Sequence, residues 1–278
     1  MKIGVSSYSF AAYISNEPAV TYEDICVKAK AIGYDGIEFV NLDSFGGKLS
    51  TNPLEDAKRI RECCDRIGLE VFAYTVGADF LSPDPKATVR DLKQCIRVAE
   101  ALGAPVLRHD ITWKLPPDIT WQDAVPLVVD PIREVTDYAA SFGIRTCSEN
   151  HGFIFQDPER VRAVIQAVDR PNYGWLVDLG NFLCTDCDPV ESVRMAAPYA
   201  FHVHAKDFTL VEAGGIQTRG GRHIVGTVAG RGIVNLKGCF EILRNAGYNG
   251  TVSLEFEGPE PCLPALSEGF SCLKTLLG

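Results

Sequence analysis

Four short apolar runs in the second half of the chain each end on a side chain that can ligate a metal or move a proton. They close as Arg-Thr-Cys-Ser-Glu149, Trp-Leu-Val-Asp178, His-Val-His204 and Val-Ser-Leu-Glu255. Strand side chains alternate faces, so between Tyr199 and Phe208 the residues His202, His204 and Lys206 share one side and Phe201, Val203 and Ala205 the other. A single carboxylate at a strand end is ordinarily a helix cap or a solvated loop residue. Four consecutive strands ending this way carry more weight. If one rim gathers these ends, three carboxylates and an imidazole converge, and packed like charges are unfavourable unless a positive charge lies between them. A divalent cation meets that need. Three oxygen donors and one nitrogen suit Mn²⁺ first, and also Mg²⁺, Co²⁺ or Zn²⁺.

The ends converge only if the strands form one closed parallel sheet. Strand patterns occupy 3–7, 36–40, 70–75, 105–109, 144–149, 173–178, 201–205 and 250–255. Helical patterns occupy 22–31, 54–67, 88–102, 121–142, 158–168, 189–196, 236–245 and 264–277. Thr21 with Asp24 reads as an N-terminal cap, and Gly33, Gly68, Gly103, Gly143 and Gly247 as helix stops. Eight strands alternating with eight helices predict an α/β chain folded as a single (β/α)₈ TIM barrel, one domain over residues 1–278. A doubly wound sheet binding a dinucleotide would carry a glycine-rich turn after the first strand. Here that turn is Ser6-Ser7-Tyr8-Ser9-Phe10, and Gly230-Arg-Gly232 lies outside any strand-to-helix turn.

Composition narrows the class. The net charge is −9, with no basic domain to hold a nucleic acid. No run approaches the ~18 apolar residues of a membrane span, and Met1-Lys2 leads straight into a strand pattern rather than a signal-peptide core. The expectation is a cytoplasmic protein whose partner is a small molecule, with long helices that permit a homodimer or homotetramer. Ten cysteines in such a chain are not a disulfide framework. Cys63 and Cys64 read as packing residues, and Cys184 with Cys187 lacks the second pair a zinc site needs.

The chain resembles the xylose isomerase-like TIM barrels, whose sugar isomerases and epimerases share ancestry with apurinic endonucleases. The resemblance spans nearly the whole sequence. It is carried by Gly33-Tyr-Asp-Gly-Ile-Glu38, Glu149-Asn-His151, Val177-Asp-Leu-Gly-Asn181, His202-Val-His-Ala-Lys-Asp207 and Gly250-Thr-Val-Ser-Leu-Glu255. It implies that Glu149, Asp178, His204 and Glu255 hold the metal. It also implies that Glu149 and Glu255 act as acid and base on opposite faces of a sugar. The activity it implies is a divalent-metal-dependent isomerase or epimerase of a ketose or related sugar derivative, working through an enediolate. Asn181 stands where similar ketose epimerases carry a histidine, and the region of Leu210 where they carry an arginine. With five histidines and no basic surface, the chain departs from the histidine-rich nucleases.

Other residues fill out the expected site. Glu38 is either a pocket glutamate or half of a rim ion pair. His109 either binds substrate and helps protonate it or caps a loop. Tyr8 lines the pocket or is a plain rim aromatic. His151 and Asn181 follow two of the ligand positions and are candidate substrate contacts. Lys206 either stabilises enolate charge, as a catalytic group, or pairs with Asp207 or Glu257. The long connections 77–86 and 207–235 follow strands and so lie at the catalytic mouth. Arg219, Arg222, His223 and Arg231 lie in the second and can clamp an anionic substrate, or can be solvated loop charges. Phe80 and Trp113 can wall the site. Two other activities fit the same residues: a lyase that dehydrates a keto-inositol or cleaves a 3-keto-glycoside, with His109 or His223 as the extra acid, and a non-catalytic sugar-binding barrel.

Overall fold

The computed structural model describes residues 1–17, 19–42 and 52–278. Eight parallel strands close into a barrel. They are β1 (Lys2–Ser6), β2 (Gly36–Val40), β3 (Glu70–Val76), β4 (Val106–His109), β5 (Arg145–Glu149), β6 (Tyr173–Asp178), β7 (Ala200–Ala205) and β11 (Thr251–Leu254). Helices α2 (Tyr22–Ile32), α3 (Pro53–Ile67), α4 (Pro85–Leu102), α5 (Trp121–Ala140), α6 (Pro158–Val168), α7 (Pro189–Ala196), α8 (Leu236–Asn245) and α9 (Cys262–Leu277) form the outer ring. The barrel predicted from alternation is the barrel found.

Local chemistry explains the boundaries. Thr21 and Asp24 form a reciprocal capping box at the start of α2, and Gly33 ends that helix at φ 117°, a left-handed conformation that glycine takes without strain. Helix α4 begins at Pro85, earlier than its apolar pattern, because Asp84 caps it and proline suits the first turn. The short α1 (Ala11–Asn16), absent from the sequence reading, follows a 3-10 turn over Ser7–Phe10.

Packing separates two apolar regions. The large one lies between strands and helices, with Val5, Ile37, Phe39, Leu107, Val177, Val203 and Val252 facing outward from the barrel. The small one comprises Ala73, Val106, Cys147 and Leu176, with Phe201 against it, and fills the barrel itself. Gly4 and Gly36 leave room there for the Phe72 ring, into which a methyl group at Gly36 would run. Above this plug the inward positions become polar.

The connection 207–235, expected only as a long connection at the catalytic mouth, contains a three-stranded antiparallel sheet of β8 (Asp207–Val211), β9 (Ile216–Gln217) and β10 (His223–Thr227). The signal was in the chain: β-branched and aromatic residues on both arms, with Gly214 and Gly215 both at positive φ in the turn. Among the described residues no helix is long and apolar enough to cross a membrane.

Candidate metal centre

Strand register carries the ligand positions to one level. Leu176 pairs with His202 and Asp178 with His204 across β6 and β7, and Ser253 pairs with His204 across β7 and β11. Each chain then leaves its strand at or just after the inward-facing ligand. One ligand atom from each of Glu149, Asp178, His204 and Glu255 lies within 4.8 Å of the others. His204 Nδ1 stands 3.8 Å from Glu149 Oε1, 3.7 Å from Asp178 Oδ2 and 3.3 Å from Glu255 Oε2.

The donor set fits a hard divalent cation. His204 Nδ1 and Asp178 Oδ2 are buried and have no hydrogen-bond partner among the described residues, a costly arrangement unless something else satisfies them. The other oxygen of Asp178 is fixed by the backbone N–H groups of Gly180 and Asn181, both at 2.8 Å, so Oδ2 is held toward the cluster. The other nitrogen of His204 lies 2.8 and 2.9 Å from the two oxygens of Glu38.

Electrostatics divide the two glutamates. Burial pushes the Glu149 carboxyl up, against the opposing pull of Arg108 and His204. Burial works the same way on Glu255, but there Lys206 and His204 outweigh it and hold the carboxyl well below its usual range. Lys206 Nζ is 2.6 Å from Glu255 Oε2 and 3.5 Å from both Asp178 Oδ2 and Glu257 Oε2. Burial would lower the Lys206 ammonium, yet Glu255, Asp178 and Glu257 hold it well above the ordinary lysine value. Of the two partners expected for Lys206, Glu257 is in reach, whereas Asp207 turns away. The Asp207 carboxylate instead accepts from the N–H groups of Phe208, Gly230, Gly232 and Val234 and ties down the end of the long connection.

Asn181 joins the two halves of the site. Its amide donates to Glu149 Oε1 at 2.9 Å, and its carbonyl oxygen is 3.4 Å from Lys206 Nζ. His151 also stands at the site. Its Nδ1 is 2.9 Å from Asp110 Oδ1, and its ring meets the edge of the half-exposed Trp113 at 4.8 Å. Tyr8 lies on the rim near Glu255, Glu257 and Lys206. Burial, and then Glu257, raise its hydroxyl pKa.

Four expected positions are elsewhere. Glu38 is not a pocket residue. It is fully buried beneath the cluster, bonded to His202 and His204. His109 points out of the barrel, its Nδ1 2.9 Å from the Asp110 carbonyl oxygen and its ring between Phe80 and Tyr173. The physical reason is alternation: Arg108 faces in, so its neighbour faces out. Phe80 shares that outer layer and walls nothing. Arg222 is spent on Asp186 at 2.8 Å, and His223 Nδ1 lies 2.9 Å from the Gly214 carbonyl oxygen within the hairpin. Arg219 and Arg231 are likewise taken by Asp157 and Glu268. None of these arginines joins the cluster.

Arg108 and Asp110 were missed. Arg108 is buried and lies 2.8 Å from Glu149 Oε2 and 2.7 Å from Asp110 Oδ1. The signal was available, because Val106 lies inside the barrel and residue 108 shares its face.

The xylose isomerase-like TIM barrel family model matches residues 26–276, and the chain belongs to that family. An inosose isomerase from Halalkalibacterium halodurans is 22% identical over 91% of this chain and 88% of its own. Two crystal structures share the fold. A probable 3-DHS dehydratase from Bacillus anthracis superposes with a TM-score of 0.77 at 22% identity, covering 99% of both chains. A xylose isomerase-like TIM barrel protein from Mycobacterium smegmatis in complex with magnesium gives 0.74 at 19% identity, covering 99% of this chain and 96% of that one.

Proposed function

We propose that this chain is a divalent-metal-dependent isomerase or epimerase of a ketose, keto-polyol or related sugar derivative. The observation that carries the reading is the convergence of Glu149, Asp178, His204 and Glu255, with two orphaned ligand atoms, at the mouth of the barrel. These four residues would hold the cation, and Mn²⁺ suits three oxygens and one nitrogen. When bound, the cation supplies Lewis acidity to a carbonyl and its neighbouring hydroxyl, which acidifies the intervening C–H.

The protein supplies the proton chemistry. Glu149 and Glu255 approach from β5 and β11 and are the two carboxylates able to remove and return the carbon-bound proton of an enediolate mechanism. Their environments differ in a useful sense. Glu149, its carboxyl raised by burial, is the stronger base once ionised. Glu255 is kept ionised by Lys206, whose ammonium is placed to hydrogen-bond a developing oxyanion. Asn181 keeps Glu149 and Lys206 in register.

A second reading keeps the proton abstraction and adds loss of a β-leaving group, giving a dehydratase or other lyase. His151, steadied by Asp110 and next to Arg108, is the observation that favours it, because it offers an acid near Glu149 that neither His109 nor His223 can provide. The relatives named as an inosose isomerase and a 3-DHS dehydratase support the two readings in turn.

Exchange in D₂O separates them. With Mn²⁺ and a suitable ketose or keto-polyol, the carbon next to the carbonyl gains deuterium. An isomerase or epimerase returns product of otherwise unchanged mass, whereas a lyase loses water or an aglycone. Glu149→Gln and Glu255→Gln should each lower exchange by roughly 10²-fold or more. His204→Ala should lose the metal first. Metal-replete glutamine variants that exchange at the wild-type rate would refute the two-glutamate mechanism.

A further inference from the structure

Beneath the cluster lies a second set of buried polar side chains from β2, β7 and β11. Glu38 and His202 are fully enclosed, yet the apolar plug of the barrel begins directly alongside them. A carboxylate and two imidazoles inside a barrel are harder to bury than the aliphatic residues that fill such layers elsewhere. Their arrangement is ordered. Glu38 Oε2 accepts from His202 Nε2 at 2.6 Å and from His204 Nε2 at 2.9 Å, and Oε1 lies 2.8 Å from His204 Nε2. His202 Nδ1 is 2.6 Å from Thr251 Oγ1, and Ser253 Oγ lies 3.0 Å from His202 Nε2.

Donor logic fixes the tautomers. A carboxylate accepts, so both imidazoles present Nε2–H to Glu38. His202 Nδ1 is then an acceptor for the Thr251 hydroxyl. When His204 gives up its second proton to ligate a cation, Nδ1 is the nitrogen that carries the lone pair, and that is the atom facing Asp178, Glu149 and Glu255. The tautomers of His202 and His204 are thereby set by residues beneath the cluster, Glu38 and Thr251.

We infer that Glu38, steadied by His202, is a positioning residue that sets His204 to coordinate through Nδ1 and strengthens it as a donor. This rests on the metal reading above. A carboxylate bonded to the far nitrogen of a ligating histidine orients the ring, fixes its tautomer and raises its basicity. The Thr251–His202 bond keeps Glu38 from rotating off His204. The same three residues, Glu38, His202 and His204, could themselves hold an ion only by giving up the Nε2–H of both histidines, and with the upper site also filled His204 would have to bridge two ions.

The test is metal affinity. Chelator-stripped protein is titrated with Mn²⁺ by calorimetry, and with Co²⁺ while following its visible absorption. Wild type should take up one ion per chain. Glu38→Gln keeps the size and one acceptor oxygen but removes the charge. Its Mn²⁺ Kd should rise ~10–100-fold with a shifted Co²⁺ band, while its thermal midpoint in EDTA stays near that of wild type. A purely structural role predicts the reverse: a lowered midpoint with unchanged Kd. An unchanged Kd in Glu38→Gln overturns the inference, as does uptake of two ions per wild-type chain. If Glu38→Gln fails to fold, Thr251→Val breaks the outer bond of the relay. It should raise the Kd in the same direction by a smaller factor, and an unchanged value overturns the relay. Wild type that binds neither ion overturns the metal reading itself, an outcome distinct from a variant that binds as wild type does.

Discussion

At the scale of single residues, Arg108 is the counter-charge that lets two carboxylates share a buried space. It reaches Glu149 and Asp110 together and also donates to the Val76 carbonyl. Arg108→Met leaves both acids without their nearest cation. Breaking a buried pair from one side typically costs about 3–5 kcal/mol. Urea unfolding in EDTA should show a loss of that order, and the loss should shrink when Mn²⁺ is present, since the cation then offsets Glu149. Equal losses with and without metal would mean that Glu149 is not a ligand. His109 gives a prediction in pH. Burial lowers its pKa to about 4, so the folded protein keeps it neutral where the unfolded chain, near 6.5, is protonated. The unfolded state therefore binds more protons between those values, and stability falls as the pH drops from about 6.5 towards 4. His109→Phe, which keeps an aromatic ring between Phe80 and Tyr173, should flatten that part of the stability profile.

At the scale of elements, the hairpin after β7 is an anchored structure. Its tip is held by Arg219, which pairs with Asp157 and donates to the Phe153 carbonyl, and by Arg222 on Asp186. Its far end is held by the four N–H groups that converge on Asp207. These two fastenings differ in worth. Surface ion pairs typically contribute ~0–1 kcal/mol, whereas hydrogen bonds to a partly buried charge contribute about 1.5–3 kcal/mol each. Arg219→Ala should therefore speed amide exchange in residues 216–224 with little change in melting temperature. Asp207→Ala should lower the melting temperature and open residues 228–235 to protease. If Arg219→Ala destabilised the whole barrel instead, the hairpin tip would belong to its cooperative core.

At the scale of the whole molecule, the barrel brings three carboxylates, one imidazole and one ammonium into a largely buried space. Anything that binds this arrangement and not the unfolded chain stabilises the fold by mass action. Mn²⁺ at a hundred times its Kd should add about 2.7 kcal/mol, read as a rise in melting temperature of roughly 5 °C, and EDTA should reverse it. An invariant melting temperature over that range would sink the metal assignment.

The sequence alone determined the alternation of strand and helix, and through it the barrel. It also singled out the four strand ends whose Glu149, Asp178, His204 and Glu255 side chains the fold gathers, because those signals are periodic and local: inward positions recur every second residue, and each of the four sits where a strand stops. It located the caps for the same reason, as with Thr21 and Asp24. The tertiary structure decided what each polar group faces. Glu38 is 164 residues from His202 along the chain, and only closure of the barrel brings its carboxylate onto the two histidines of β7. Arg222 read as a candidate clamp for an anionic substrate until folding placed Asp186 against it. Arg108 and His109 show the boundary between the two kinds of information: their opposite faces follow from alternation, but the value of each face depends on strands that the chain reaches much later.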